Sequence, residues 1–186
     1  MMRIVGGSAA GRAIKSPPGH VRPATARVRK ALFDYLSGFI TGARVLDLYC
    51  GSGGLGLEAV SRGASEAWFV DISERSIDVA RENAASLGMI RQTHFIHKDV
   101  FRFLNQFEAI SDRKFDLIFA APPYRTADPQ RILNNIAEAG VLEAGSAVCL
   151  EYSHHTEAPA SSRFRLDRKK VYGETVIDVW DFIIER

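Results

Sequence analysis

Short runs of consecutive apolar residues alternate along most of this chain with longer stretches in which apolar residues return every three or four positions. The runs are Arg44-Val45-Leu46-Asp47-Leu48-Tyr49, Ala67-Trp68-Phe69-Val70, His94-Phe95-Ile96, Phe115-Asp116-Leu117-Ile118-Phe119 and Ser146-Ala147-Val148-Cys149-Leu150. Runs this short, apolar on both faces, are the pattern of strands buried inside a parallel sheet. Between them the spacing predicts helices over 54–62, 74–87, near 100–109 and over 128–139. Ser73 precedes the second of these as a cap, and Gly88 follows it as a stop. Repeated strand-helix units of this kind predict an α/β fold, a doubly wound, mostly parallel Rossmann-like sheet covered by helices on both faces.

Both ends of the chain depart from this alternation. Arg3-Ile4-Val5 and Arg12-Ala13-Ile14, separated by a stretch rich in glycine, read as a small hairpin, and Pro17-Pro18-Gly19 breaks the chain after it. Thr25 is placed to cap a helix over roughly 26–38, with Val28, Leu32, Phe33 and Leu36 on its apolar side. The far end, 163–172 and 176–184 around Gly173-Glu174-Thr175, predicts an antiparallel hairpin at the sheet edge. The expected organisation is an N-terminal hairpin-plus-helix extension over 1–42 and one domain over 43–186. No internal repeat, low-complexity tract or linker interrupts it.

Composition then narrows what such a fold is for. With 186 residues, 46% of them apolar, the chain is long enough for one well-cored domain. It has no apolar run near the roughly 20 residues that cross a bilayer and no signal-peptide hydrophobic segment, so a soluble, cytoplasmic monomer without membrane contact is expected. Cys50 and Cys149 sit in apolar strands with no metal-binding spacing, which marks them as reduced core residues. Net charge is only +2, yet residues 1–44 carry +7 and the remainder −5. That asymmetry suits an anionic polymer held at the N-terminal end. Arg12, Lys15, Arg22, Arg27, Arg29 and Lys30 are the candidate contacts, and a solvated basic face is the alternative.

The chemistry-bearing motifs lie at strand ends. Gly51-Ser52-Gly53-Gly54-Leu55-Gly56 fits GxGxxG where the first strand turns into its helix, which lets a ligand approach the backbone and the free N–H groups of a helix start. Asp71, twenty residues past Gly51, is placed to accept from ribose hydroxyls. Both features suit a nicotinamide dehydrogenase equally well. Two others do not. Asp47 puts an acid inside the first strand, where it can serve a cationic amino group, and Pro122-Pro123-Tyr124 follows the fourth strand at its ligand-facing end. Asp99, after the third strand, is a candidate for a cofactor adenine or for a helix cap. Tyr49, Ser52, Ile72 and Val100 complete the candidate cofactor contacts.

With these motifs in place, the chain resembles the RsmD family of bacterial methyltransferases, which modify the N2 amine of a guanine in 16S ribosomal RNA. The resemblance runs through Arg3-Ile4-Val5-Gly6-Gly7, Arg22-Pro23 to Phe33, Leu46-Asp47-Leu48 to Gly63-Ala64, the Pro-Pro-Tyr strand and Tyr172-Gly173-Glu174-Thr175. It implies the fold of class I methyltransferases, S-adenosylmethionine as cofactor, and 16S ribosomal RNA or the small ribosomal subunit as partner. It also implies catalytic contacts at Ala121, Pro122, Pro123 and Tyr124. In the family, position 121 is an acid that accepts a hydrogen from the target amine, the next carbonyl accepts the other, and the tyrosine ring stacks on the base. Here alanine stands in place of that acid. Ala24, Ala26 and Lys30 likewise occupy positions where the family usually has Thr, Asp and Glu.

Loss of one charged acceptor predicts a slowed enzyme, because removing such a bond costs about 1.5–3 kcal/mol. The alternative is a noncatalytic ribosomal-RNA-binding or ribosome-assembly protein that keeps the fold. His94 and His97 fall on one strand, so no metal site is expected of them. His154 and His155 lie near the predicted mouth of the site.

Overall fold

Each apolar run forms a strand in the computed structural model of the protein, which describes residues 2–17, 25–107, 114–124 and 128–183. The N-terminal hairpin pairs β1 (Met2–Arg3) with β2 (Ala13–Ile14). Then follow α1 (Ala26–Tyr35), α2 (Ser37–Ile40), β3 (Arg44–Leu48), α3 (Gly54–Ser61), β4 (Glu66–Asp71), α4 (Glu74–Leu87) and β5 (Thr93–His97). The second half runs α5 (Val100–Asn105), β6 (Phe115–Ala120), α6 (Pro129–Glu138), β7 (Leu142–Ser153), β8 (Phe164–Tyr172) and β9 (Thr175–Phe182).

One seven-stranded sheet has the order β5-β4-β3-β6-β7-β9-β8. Pairing is parallel from β5 to β7 and antiparallel for β7–β9 and β9–β8. The returning strand of the C-terminal hairpin therefore inserts beside β7 and leaves β8 on the edge. Two apolar layers cover the sheet. Phe33, Leu36 and Ile40 of the α1–α2 segment pack on one face with Leu57 of α3 and Ile77 of α4. Phe103 of α5 and Ile132, Leu133 and Ile136 of α6 pack on the other. Because β3 pairs with β4 on one side and β6 on the other, the order in which strands are added reverses there, and the crevice beyond their carboxyl ends is where ligands of such sheets bind.

Several boundaries differ from the sequence expectation for local reasons. The helix expected over 26–38 ends at Tyr35, where Leu36 leaves helical geometry before α2 resumes. The strand expected over 146–150 extends from Leu142 to Ser153. Its register with β6 shifts between Phe115 and Leu117, and the Ser146 hydroxyl patches the gap by donating to the Phe115 carbonyl (2.9 Å) while accepting from the Glu143 N–H (3.1 Å). Exposed Glu143 and Ala144 hid that extension from a reading based on apolar runs. The helix expected near 100–109 is described as far as Asn105, and positions 108 and 109 lie outside the described residues. Ser73 and Gly88 bound α4 as expected: the Ser73 hydroxyl accepts from Ser76 N–H at 3.3 Å, and Gly88 sits at φ 78°.

The basic N-terminal segment is fastened to α3 and α4. Val5 and Gly6 donate their backbone N–H groups to the two carboxylate oxygens of Glu58, each at 2.7 Å, and Glu58 is 0% exposed. Ala9 N–H donates to the Ser61 hydroxyl, which itself donates to Gly6 C=O. Asn83 on α4 both accepts from Lys15 N–H and donates to Lys15 C=O. Gly7, at φ +76°, lies against the end of α3, where a Cβ would come 1.8 Å from the Ser61 carbonyl oxygen. Only glycine fits there.

Candidate active site

The site begins where β3 ends. Tyr49 adopts φ 58°, and Gly51 and Gly53 follow at φ 54° and 76°, so the chain turns sharply into α3. Asp47, buried at 2% exposure, lies beneath this turn and accepts from Gly56 N–H at 2.9 Å. Burial pushes its carboxyl up to about 8, against the opposing pull of that hydrogen bond. Gly56 has no room for a side chain, since a Cβ would meet the Phe69 ring at 2.5 Å. The third glycine of the motif thus serves close packing of α3 on β4. Ser52 is buried, and its carbonyl accepts from the Asn83 side chain at 2.9 Å, which ties the loop to α4.

The next group stands at the ends of β4 and β5. Asp71 accepts from Gly51 N–H with one oxygen (2.9 Å) and from Ser73 N–H with the other (2.8 Å). It therefore shapes the glycine loop itself, and each oxygen retains a further lone pair for a ribose hydroxyl. Ile72 follows at 67% exposure, an apolar surface beside the loop. Asp99 caps α5 by accepting from Arg102 N–H at 3.0 Å. Val100 is 2% exposed within the core, so its side chain serves packing and only its backbone, in the first turn of α5, is available to a ligand. Burial, then the charge of Asp99, raises the Tyr49 phenol to about 12.

On the β6 side, Ala121 continues the ladder by donating to Leu48 C=O, Pro122 is buried and Pro123 exposed. The Tyr124 hydroxyl donates to Glu151 at 2.5 Å and meets the Thr175 hydroxyl at 2.7 Å. Burial, reinforced by Glu151, raises the Tyr124 phenol and keeps it protonated. Glu151 and Thr175 are the residues that sequence reasoning missed as site members. Ala120 pairs with Leu150. Ala121 follows this last pair directly after β6, and Glu151 follows it within β7. A carboxylate of the neighbouring strand thus reaches the Pro-Pro-Tyr corner through the Tyr124 hydroxyl, one residue past the last β6–β7 pair. Burial raises the Glu151 carboxyl above its ordinary range, opposed by the Tyr124 hydrogen bond. An acid at the end of the strand next to Pro-Pro-Tyr was the available signal.

The candidate polymer contacts divide. Arg29 is corrected: it is 4% exposed and donates to the Arg3 carbonyl at 2.7 Å, so it braces the hairpin. Arg12 bonds the Leu87 and Ser86 carbonyls at the end of α4, and Lys15 pairs with Glu82 at 2.8 Å. Lys30 pairs with Asp34 one turn along α1. Arg27 is exposed, and Arg22 lies outside the described residues. His97 bonds the Ile72 carbonyl, whereas His94 pairs with Glu66 at the opposite end of the sheet. His154 and His155 are exposed and their rings lie 3.7 Å apart. Among the described residues no group of three or more His, Cys, Asp or Glu is arranged to hold a metal ion, both cysteines are free and buried, and no helix is long and apolar enough to cross a membrane.

The donor set fits an adenosyl amino acid. Asp71 can offer ribose acceptors, Ile72 an apolar surface for a base, and Asp47 a carboxyl that an ammonium group would draw toward ionisation. Residues 2–181 match the family described as conserved hypothetical protein 95. Ribosomal RNA small subunit methyltransferase D of Escherichia coli K12 is 31% identical over 93% of this chain and 86% of its own. The protein of the same name from Buchnera aphidicola is 28% identical over 90% of this chain and 86% of its own. Among solved structures, a hypothetical protein of Thermus thermophilus superposes with a TM-score of 0.83 at 33% identity, over 96% of this chain and 98% of its own.

Proposed function

Since the chain belongs to the RsmD family of S-adenosylmethionine-dependent methyltransferases, we propose that it transfers a methyl group to the N2 amine of a guanine in small-subunit ribosomal RNA. The observation that carries this reading is Pro122-Pro123-Tyr124 at the β6 end, facing the glycine loop across the switch point, with Tyr124 pinned by Glu151 and Thr175. The cofactor supplies an electrophilic methyl on a sulfonium. An exocyclic guanine amine is a weak nucleophile because its lone pair is delocalised into the ring, so what this chain contributes is alignment. The Pro122 carbonyl accepts one amine hydrogen and the Glu151 oxygen that Tyr124 does not engage the other, in place of a side chain at 121. The Tyr124 ring stacks on the base, held in orientation by its hydroxyl. Ala121 favours the second reading, a noncatalytic RNA-binding protein.

The test is methyl transfer to small-subunit particles lacking the modification. Glu151→Gln is expected to lower the rate at least several-fold, and the pH profile separates this role from a structural one. A carboxyl raised above about 4.3 must ionise to accept the amine strongly, so the acid limb lies above the ordinary Glu range and vanishes in Glu151→Gln. An unchanged acid limb in the variant rules Glu151 out as acceptor.

Cofactor binding has its own signature at Asp47. Its folded-state pKa is raised above the unfolded value, so the stability tied to its protonated form is present in acid and is lost as pH rises toward about 8. At pH 7 the free protein holds this proton, and a nearby ammonium group favours its release. S-adenosylhomocysteine binding at pH 7 is therefore expected to release a proton, seen as a calorimetric enthalpy that varies with the buffer. Asp47→Asn should remove that variation.

A further inference from the structure

The face of the sheet that carries α1 also carries an open groove between that helix and the edge hairpin. Tyr35 lines the α1 wall, Arg168, Lys170 and Tyr172 of β8 line the other, and Ile177 and Val179 of β9, 5% and 2% exposed, lie buried at its base. The space between these walls, counted together with the solvent open above it, is about 290 Å³. Strand geometry explains the clustering. After a register shift between Leu166 and Arg168, strict alternation puts Arg168, Lys170 and Tyr172 beside Val179, Ile177 and Thr175 on one face. Lys169 turns to the opposite face, where it donates to the Tyr152 hydroxyl and pairs with Asp178.

β8 holds four cations and one acid, Asp167. Arg165 is matched by Asp181 and Lys169 by Asp178. The two cations left over are the two in the groove. Lys170 is exposed with no acidic partner among the described residues, and Arg168 stacks its guanidinium 4.1 Å from the Tyr35 ring centroid. Arg27, exposed one turn before Ala31 on α1, adds to the same helix stripe. The groove is continuous with the site described above: Tyr172 pairs with Thr175, whose hydroxyl meets that of Tyr124.

We propose that this groove carries the single-stranded RNA flanking the target nucleotide, a proposal that rests on the methyltransferase reading above. Unstacked nucleotides need cations for phosphates and aromatic or apolar faces for bases. Arg168 and Lys170 provide the first, and Tyr172 the second. The path leads the strand along β8 to Tyr124, so that the nucleotide presented for methylation is the one at the end of the groove.

The experiment measures methylation of unmodified 16S ribosomal RNA and binding of a single-stranded oligoribonucleotide across a salt series, for Lys170→Ala, R168A/K170A, Tyr172→Ala and Tyr172→Phe. The expected result is a several-fold higher KM for RNA with kcat and S-adenosylhomocysteine affinity unchanged. The salt dependence should flatten by roughly 0.7 in log–log slope per lost phosphate contact. Tyr172→Phe should retain affinity that Tyr172→Ala loses. Arg91→Ala, at the opposite sheet edge, should change none of these quantities. If Lys170→Ala and R168A/K170A leave RNA KM and salt slope as they were, the groove is not the RNA path. If the variants weaken RNA binding with flattened salt slopes while even the unsubstituted chain transfers no methyl group, the groove stands and the methyltransferase reading falls.

Discussion

Ala121→Asp is expected to raise the rate of methyl transfer roughly 10-fold or more, with S-adenosylhomocysteine affinity unchanged. A carboxylate at 121 would meet the amine directly from the strand that ends in Pro-Pro-Tyr. Glu151 reaches it only from the neighbouring strand, with one oxygen already engaged by Tyr124. A charged hydrogen bond is worth about 1.5–3 kcal/mol, and expressed wholly in the transition state that is roughly 10- to 150-fold in rate. Because the gain lies in alignment, it should appear in kcat more than in KM. The two acids would share one task, so Glu151→Gln should cost less in the Ala121→Asp background than alone, a coupling that a double-mutant cycle measures. Should Ala121→Asp bind cofactor and RNA normally yet methylate no faster, the missing acid is not what limits this chain, and the noncatalytic reading gains weight.

The largest loss of stability is expected from Glu58→Ala. This carboxylate is fully buried and holds three donors: the Val5 and Gly6 N–H groups and the Arg62 guanidinium at 2.8 Å. Removing the buried acid leaves two part-buried N–H groups without their acceptor and Arg62 with only its 3.6 Å contact to Asp34, at a cost of about 3 kcal/mol, the lower end for a broken buried pair. In a chain of this size each kcal/mol lowers Tm by roughly 2–4 °C, so thermal melting should fall by about 6 °C or more. The N-terminal hairpin should also lose protection from hydrogen exchange before the sheet does. Global melting within a degree of the unsubstituted protein would show that the hairpin contributes little to the fold.

The contrast between Asp47 and Glu58 separates what is local in this protein from what is not. Asp47 is conspicuous because it interrupts an apolar run four residues before a glycine motif. Glu58 resembles an ordinary surface acid forming an i, i+4 pair with Arg62, and its partners lie more than 50 residues away along the chain. Arg29 departs from its expected role for the same reason. A cation on an amphipathic helix is solvated unless something covers it, and here β1 does.

Local pattern is enough to establish the alternation of strands and helices, the caps of α4, the glycine turn and the Pro-Pro-Tyr corner. Each of these follows from side-chain periodicity or from the backbone preferences of Gly, Pro and Ser within a few residues. That Glu151 bonds Tyr124 at the Pro-Pro-Tyr corner, and that Arg168, Lys170 and Tyr172 share one groove with Tyr35, emerges only from the folded chain. Those relations depend on inter-strand register, on a bulge in the edge strand and on the packing of α1 against a hairpin more than 125 positions later. Register is set by pairing between distant segments, and a one-residue slip would turn every one of these side chains to the other face.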